Sequence, residues 1–301
     1  MLYRPLGATG LSVSEIGFGC ASWWGQKAFS EAEALRLVHA AIDHGVTFFD
    51  TGAAYSGGEA EPRLGRALKG RDNGRLVVAT KAGTRFEGGR VVRDMRPEAI
   101  EASVLRSLDR LGLEALPLLQ LHGPATEELT DRFLDRLEGL KKRGLVQALG
   151  LNSFDPAVIE HAVELGTFDV VMIDYNILRP ERAPLVARAA AAGKGVLAGM
   201  ALAMGHAGAL KLRAPRDIWY ALRALKNHRA DIAKGARFSF LADLPGMSGP
   251  QAALAYVLEN PGISTAVIGT TRMAHLLEDL GASGLALPPE TRARILAAQA
   301  L

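Results

Sequence analysis

The chain has 301 residues, 49% of them hydrophobic, and sets 35 Lys and Arg against 32 Asp and Glu for a net charge of +3. The two charge signs are interspersed, which argues against a nucleic-acid-binding or membrane-facing surface, and the single cysteine, Cys20, excludes an internal disulfide framework. No apolar run approaches the ~20 residues a membrane-spanning helix needs, and the opening "MLYRPLGATGLSVSEIGFGC" has no signal-peptide pattern, so a soluble cytoplasmic protein is expected.

In chain order, "YRPLGATGLSVSEIG" places turn glycines between two short β-like pieces and predicts an N-terminal hairpin. Eight short apolar runs follow, at 15–20, 46–50, 75–81, 116–122, 146–152, 168–174, 195–200 and 264–270, each the length of a strand buried on both faces. Helical patterns separate them. The first, "SEAEALRLVHAAIDHG", offers Ser30 as N-cap, Glu33 three residues on and Gly45 as the stop. Alternating strands and helices predict a parallel sheet with right-handed crossovers. Eight units in this length make a closed (β/α)₈ TIM barrel the leading architecture, with the hairpin plugging its bottom. An open doubly wound sheet is the rival, but no G-x-G-x-x-G follows the first strand. The period breaks once, from 203 to about 249, which reads as an ordered insertion after the seventh strand. No linker interrupts the chain, so residues 1–301 are expected to form one domain.

Barrel enzymes carry their chemistry at the C-terminal ends of the strands. The second run ends in Asp50, the third in Lys81, the fourth in His122 and the fifth in Asn152, with Tyr55 in the loop after the second. Singly, Asp50 reads as a turn cap, Lys81 as a solvated strand end and His122 as a satisfied buried histidine; three consecutive strand ends converging on one rim read as a site. Hydride delivery to a carbonyl carbon leaves an alkoxide that needs a proton. A tyrosine can give it, but its ordinary pKa of ~10 is too high for easy release near neutrality unless a lysine ammonium favours the phenolate. Asp50 can hold that lysine, and His122 can orient the carbonyl oxygen. None of these groups donates hydride, so a cofactor must.

The stretch "FFDTGAAYSGGEAEPRLGRAL" (48–68) resembles the Asp, Tyr, Glu and Leu-Gly signature of the aldo-keto reductases, and the similarity runs through the whole chain to "STAVIGTTRMAHLLEDLGA". The resemblance implies a barrel oxidoreductase that interconverts an aldehyde, ketone or lactol and an alcohol, using NADP(H) by family default with NAD(H) as a serious alternative. It also implies a catalytic tetrad of Asp50, Tyr55, Lys81 and His122, with Tyr55 as general acid/base. "GLNSF" (150–154) resembles the carboxamide-binding segment with Asn152 and Ser153 in exchanged order, although Ser153 also suits a helix-capping turn. After the eighth strand, Gly269, Thr270, Thr271, Arg272 and His275 match the segment that grips the adenosine side. Gly269 and His275 replace the usual Lys and Arg of the 2′-phosphate clamp, and Arg272 stands nearby. Glu278 and Asp279 match the pair that contacts adenine, with Asp in place of Asn.

Two departures bear on the nicotinamide. Met172 stands where the family usually has a carboxamide-binding Gln, and Gly199 where it usually has a stacking aromatic; Tyr175 or Met200 could repair the second. These departures keep a regulatory or redox-sensing protein of the same fold as an alternative. A metal-dependent hydrolase finds no H-x-H or H-E-x-x-H spacing. For a small-molecule pocket, Trp23, Trp24 and Phe86 are the candidates, with Trp219 and Tyr220 weaker. Lys211, Arg213 and Arg216 read as surface charge that could touch a cofactor phosphate.

Overall fold

In the computed structural model the described residues are 1–71, 74–203 and 234–300. The predicted contacts of Trp219, Tyr220, Lys211, Arg213 and Arg216, and most of the 203–249 insertion, lie outside them. Two short strands, β1 (Tyr3–Pro5) and β2 (Ser12–Ser14), form the expected antiparallel hairpin. Eight parallel strands close into a barrel: β3 (Ile16–Gly19), β4 (Phe48–Asp50), β5 (Val77–Ala82), β8 (Leu116–His122), β9 (Val146–Asn152), β10 (Val170–Ile173), β11 (Gly195–Ala198) and β12 (Thr265–Ile268). The ring closes where β12 pairs with β3, Ile268 opposite Phe18. Every predicted apolar run contributes one of these strands.

Helices α1 (Glu31–Asp43), α2 (Ala60–Leu68), α3 (Pro97–Leu111), α4 (Asp131–Lys142), α5 (Pro156–Glu164), α6 (Ala183–Ala191), α7 (Gly249–Leu258) and α8 (Met273–Leu280) surround the barrel, followed by α9 (Pro289–Gln299). Ser30 caps α1 by accepting from the Glu33 backbone N–H, and Gly45 turns the chain away at φ 89°. The Leu-Gly of the signature has a packing cause: a Cβ on Gly65 would lie 2.3 Å from the Arg110 carbonyl, so α2 and α3 approach backbone to backbone.

The core has two layers. Side chains facing the helices form the larger cluster. Inside the barrel, Phe48, Val77, Leu118, Ala148, Val170, Met172 and Leu197 pack with Leu6 and Val13 of the hairpin. Leu6 seats against the start of β11, so the hairpin plugs the N-terminal end. It is also bolted there: the Arg4 guanidinium donates to the Ile263 and Leu258 carbonyls and to Glu15, while Glu15 accepts from Ser283 Oγ and the Gly284 N–H. The opposite end carries the C-terminal ends of the strands, where barrel chemistry is placed.

A second hairpin was not anticipated. β6 (Thr84–Glu87) and β7 (Arg90–Arg93) pair across Gly88–Gly89, both at positive φ, as a two-residue hairpin loop requires. It stands over the mouth just after β5. The described end of the insertion, a 3₁₀ segment at Ala236–Asp243, buries Phe238 and Leu241 against Ile177, Leu178 and residues of α7 and α9.

Candidate active site

Strand register brings the tetrad together. Asp50, the last residue of β4, sits opposite Ala79, two residues before Lys81 on β5. Lys81 lies opposite Gln120, and His122 opposite Asn152. The Lys81 Nζ donates to both Asp50 carboxylate oxygens at 2.6 Å and to the Thr51 carbonyl at 2.9 Å, and it lies 4.8 Å from the centroid of the Tyr55 ring. The His122 and Tyr55 rings meet edge to face with centroids 5.6 Å apart. Lys81 is 1% and Asp50 5% exposed.

Burial works against the charged form of Lys81, but the Asp50 carboxylate and the Tyr55 side chain more than offset it, and its pKa is raised above 10.5. The site holds a fixed, desolvated ammonium beside a phenol. His122 behaves oppositely: burial, then the Lys81 charge, lower its pKa from 6.5 to about 4. Its imidazole is therefore neutral near pH 7, with Nδ1 at 2.8 Å from Thr84 Oγ1 on the unanticipated hairpin.

A stability consequence follows. Between about 4 and 6.5 the unfolded chain protonates this histidine and the folded one does not. Its neutral state therefore supports folding fully above pH 6.5, and that support is lost as pH falls through 4. His122→Gln is expected to flatten the acid decline of stability in urea titrations run from pH 7 to 4, whereas an unchanged slope would place the decline elsewhere.

The turn that carries Tyr55 is held under strain. Ser56, next to it, and Ser22, in the loop after β3, both adopt φ 55°, a left-handed conformation unusual for residues with a Cβ. Ser56 Oγ donates to the Ser22 carbonyl at 2.7 Å, tying the two rim loops together. The signature glutamate, Glu61, acts further out: buried on α2, it accepts from Thr80 Oγ1 and Ser107 Oγ at 2.6 Å and from Arg110.

One important residue escaped sequence reasoning. Gln120, fully buried in the interior of β8, donates its Nε2 to Asp50 Oδ1 at 2.9 Å, so Asp50 is gripped from two strands; its Oε1 has no hydrogen-bond partner. The signal was a lone amide inside the apolar "LPLLQLH", two residues before His122 and so on the same strand face. Thr84 gave no such signal, because its role depends on the fold of the hairpin.

The pocket candidates separate. Trp23 is half-buried at the rim, and Phe86 is 40% exposed on β6, against the Gly57–Gly58 turn beyond Tyr55. Trp24 corrects the expectation of a pocket role: at 1% exposure its indole N–H is directed at the Ala34 carbonyl and Arg63 stands over its ring, so it packs the helix layer. Ser153 Oγ accepts from the Asp155 N–H and Asp155 caps α5, the turn role anticipated for Ser153.

Across the mouth, Asn152 is buried with its Nδ2 against the Met172 sulfur. Among the described residues, the Gly19 carbonyl, at 3.5 Å, is the one group near the position of an added Cβ on Gly269. Thr270 and Thr271 are half-buried, and Thr270 Oγ1 accepts from the Arg272 N–H. Arg272 opens α8, whose N-terminus has no side-chain cap, and His275 on its first turn is exposed. Glu278 is half-buried and Asp279 buried; burial, then the Glu278 charge, raises the pKa of Asp279 to about 7.

Chain-wide comparisons bear on the family and the fold. The Bacillus subtilis (strain 168) oxidoreductase YqkF is 28% identical over 296 residues, spanning 94% of this chain and 91% of that protein. The D-threo-aldose 1-dehydrogenase of a Pseudomonas species is 28% identical over 310 residues, spanning 93% of this chain and 92% of its own. Among solved structures, the holo form of an aldo-keto reductase from Bacillus halodurans matches with a TM-score of 0.80 at 27% identity, covering 99% of this chain and 96% of that one. The sequence model of the Aldo/keto reductase family matches residues 15–300, and with the barrel closed around those residues the chain belongs to that family of oxidoreductases.

Proposed function

We propose that this protein interconverts a carbonyl compound and an alcohol with a nicotinamide dinucleotide, using Tyr55 as general acid/base. The carrying observation is the buried Lys81 ammonium, clamped by Asp50 and set against the Tyr55 ring, with neutral His122 edge-on to the same ring. In the reducing direction the Tyr55 hydroxyl donates a proton to the developing alkoxide, and the Lys81 charge stabilises the phenolate left behind. His122, being neutral, holds the carbonyl oxygen by a hydrogen bond without competing as a strong acid. Asp50, fixed by Lys81 and Gln120, keeps the ammonium in place.

The chain's own features fit such a cofactor. Among the described residues glycine at 269 leaves room at the strand end, and the N-terminus of α8, with Thr270, Thr271, Arg272 and His275 around it, suits a phosphate. Asn152 and Ser153 would hold the carboxamide, and Glu278 and Asp279 the adenine. When bound, the nicotinamide supplies the hydride. Trp23 and Phe86 offer an apolar, largely uncharged pocket that favours an aldehyde, ketone or lactol. The aldose 1-dehydrogenase relative makes a sugar lactol the first substrate to try. The single cysteine, buried among the described residues, agrees with a reducing, cytoplasmic setting.

Fluorescence titration of the purified protein with NADPH and NADH, followed by turnover of a lactol and an aromatic aldehyde, tests the reading. Binding without turnover would favour a regulatory role, and no binding would remove the oxidoreductase reading. NADPH is the expected preference, held through Arg272. Arg272→Ala is expected to weaken NADPH about tenfold and NADH much less, the worth of one charge-assisted phosphate contact; equal losses would sink the 2′-phosphate assignment.

A further inference from the structure

The barrel mouth has two unlike halves. β4, β5 and β8 supply Asp50, Lys81, Gln120 and His122, all polar. Across from them, Met172 on β10, Gly199 just past β11 and Gly269 just past β12 offer no charge and no ring.

Met172 and Gly199 are not independent. Met172 sits opposite Asn152 on one side and Leu197 on the other, and both Met172 and Leu197 face the barrel interior. Gly199 is two residues beyond Leu197, on the same face. A Cβ at Gly199 would lie 3.1 Å from Met172 Cγ and 3.2 Å from its Sδ, so the thioether lies directly across residue 199. Gly199 is not at positive φ, so the backbone does not demand glycine; a side chain there would instead crowd Met172, which would have to shift by a few tenths of an ångström. Of the two residues that could have refilled the position, Tyr175 is engaged elsewhere and Met200 sits on a left-handed turn. Tyr175 stacks on Tyr256 of α7 with ring centroids 5.9 Å apart, and Met200 turns through φ 54° with its carbonyl taken by Asn176 Nδ2. Met172 also orients Asn152, whose amide nitrogen meets the sulfur.

We infer that the Met172 thioether, laid across Gly199, is the apolar platform on which the nicotinamide ring rests, with Gly199 small so that Met172 can lie there. This rests on the cofactor reading above. A planar ring opposite Tyr55 needs a flat, uncharged surface, and a polarisable thioether over a bare backbone provides one, with favourable sulfur–aromatic contact. The two departures from the family pattern are one exchange: a side chain from the sixth barrel strand covers ground vacated on the seventh.

The test uses the full-length protein and four probes: NADPH, NADH, and the same molecules without the ring, 2′-phospho-ADP-ribose and ADP-ribose. Met172→Ala is expected to weaken the preferred intact dinucleotide about tenfold and leave its ring-less counterpart unchanged, while Met172→Leu, which keeps the bulk, loses only about threefold. Gly199→Ala is expected to weaken the dinucleotide by displacing the thioether, and to cost nothing further in the Met172→Ala background, where the new methyl enters vacated space. Equal losses for dinucleotide and ring-less probe, additive effects of the two substitutions, or no loss in Met172→Ala would each overturn the platform while leaving the cofactor reading intact. If wild type binds none of the intact dinucleotides, that reading fails and the platform with it. Should Met172→Ala not fold, Met172→Leu and Gly199→Ala decide on the same dinucleotide-to-fragment ratio.

Discussion

Replacing Tyr55 with phenylalanine is expected to lower kcat for carbonyl reduction on the order of 10²–10⁴-fold, the range contributed by a positioned general acid. Little else should change. The ring stays, so the edge-to-face contact with His122 and the Lys81 contact on its face both survive. Tyr55 is half-buried and its side chain hydrogen-bonds Lys81, so thermal stability should fall by only about 1 kcal/mol, the worth of one such bond. Dinucleotide affinity should be close to wild type by fluorescence titration, because the proposed cofactor contacts come from the opposite half of the mouth. The informative pairing is kcat against Kd. Retained turnover would remove Tyr55 from its role, and a lost Kd with intact kcat would make it a binding residue instead.

Lys81→Met should be worse in two ways. Turnover should fall at least as far as in Tyr55→Phe, because the charge that stabilises the phenolate is gone. Stability should fall as well, by about 3–5 kcal/mol, because Asp50 is left as a buried carboxylate with Gln120 as its remaining side-chain donor. The ammonium titrates above its ordinary 10.5, so its contribution is intact below pH 10.5 and lost only as pH rises through the higher native value. The double variant Asp50→Asn/Lys81→Met removes both charges and should recover most of the stability and none of the activity. Urea melts of the two single variants and the double would show it. A double variant as unstable as Lys81→Met would mean that the pair does not govern folding here.

The barrel was legible because its evidence is local. Each strand is a short apolar run bounded by turn residues, and Asp50, Lys81 and His122 end three of those runs. What escaped depends on registration between distant segments. Gln120 was visible only as an oddity in an apolar strand until β8 was set beside β5 and its amide reached Asp50. The Gly88–Gly89 hairpin carried its turn signal in "EGGR", but its strands are mostly polar and exposed, so the alternation that marks a half-buried strand is weak. Trp24 adjoins Trp23, and nothing in the dipeptide tells which of the two turns inward. Met172 and Gly199 read as two losses along the chain, whereas across the sheet they are one piece of packing.

The seam between β12 and β3 has a consequence for synthesis. The first barrel strand finds one of its two neighbours only when residues 265–268 have been made, and Arg4 waits for carbonyls 254 and 259 residues downstream. A growing chain therefore carries two unpaired sheet edges and an unclosed floor until residue 268 has been made, and no shorter stretch can lock the ring. Until β12 is made the sheet can only be open, with adhesive borders guarded by its helices and by whatever chaperone attends it.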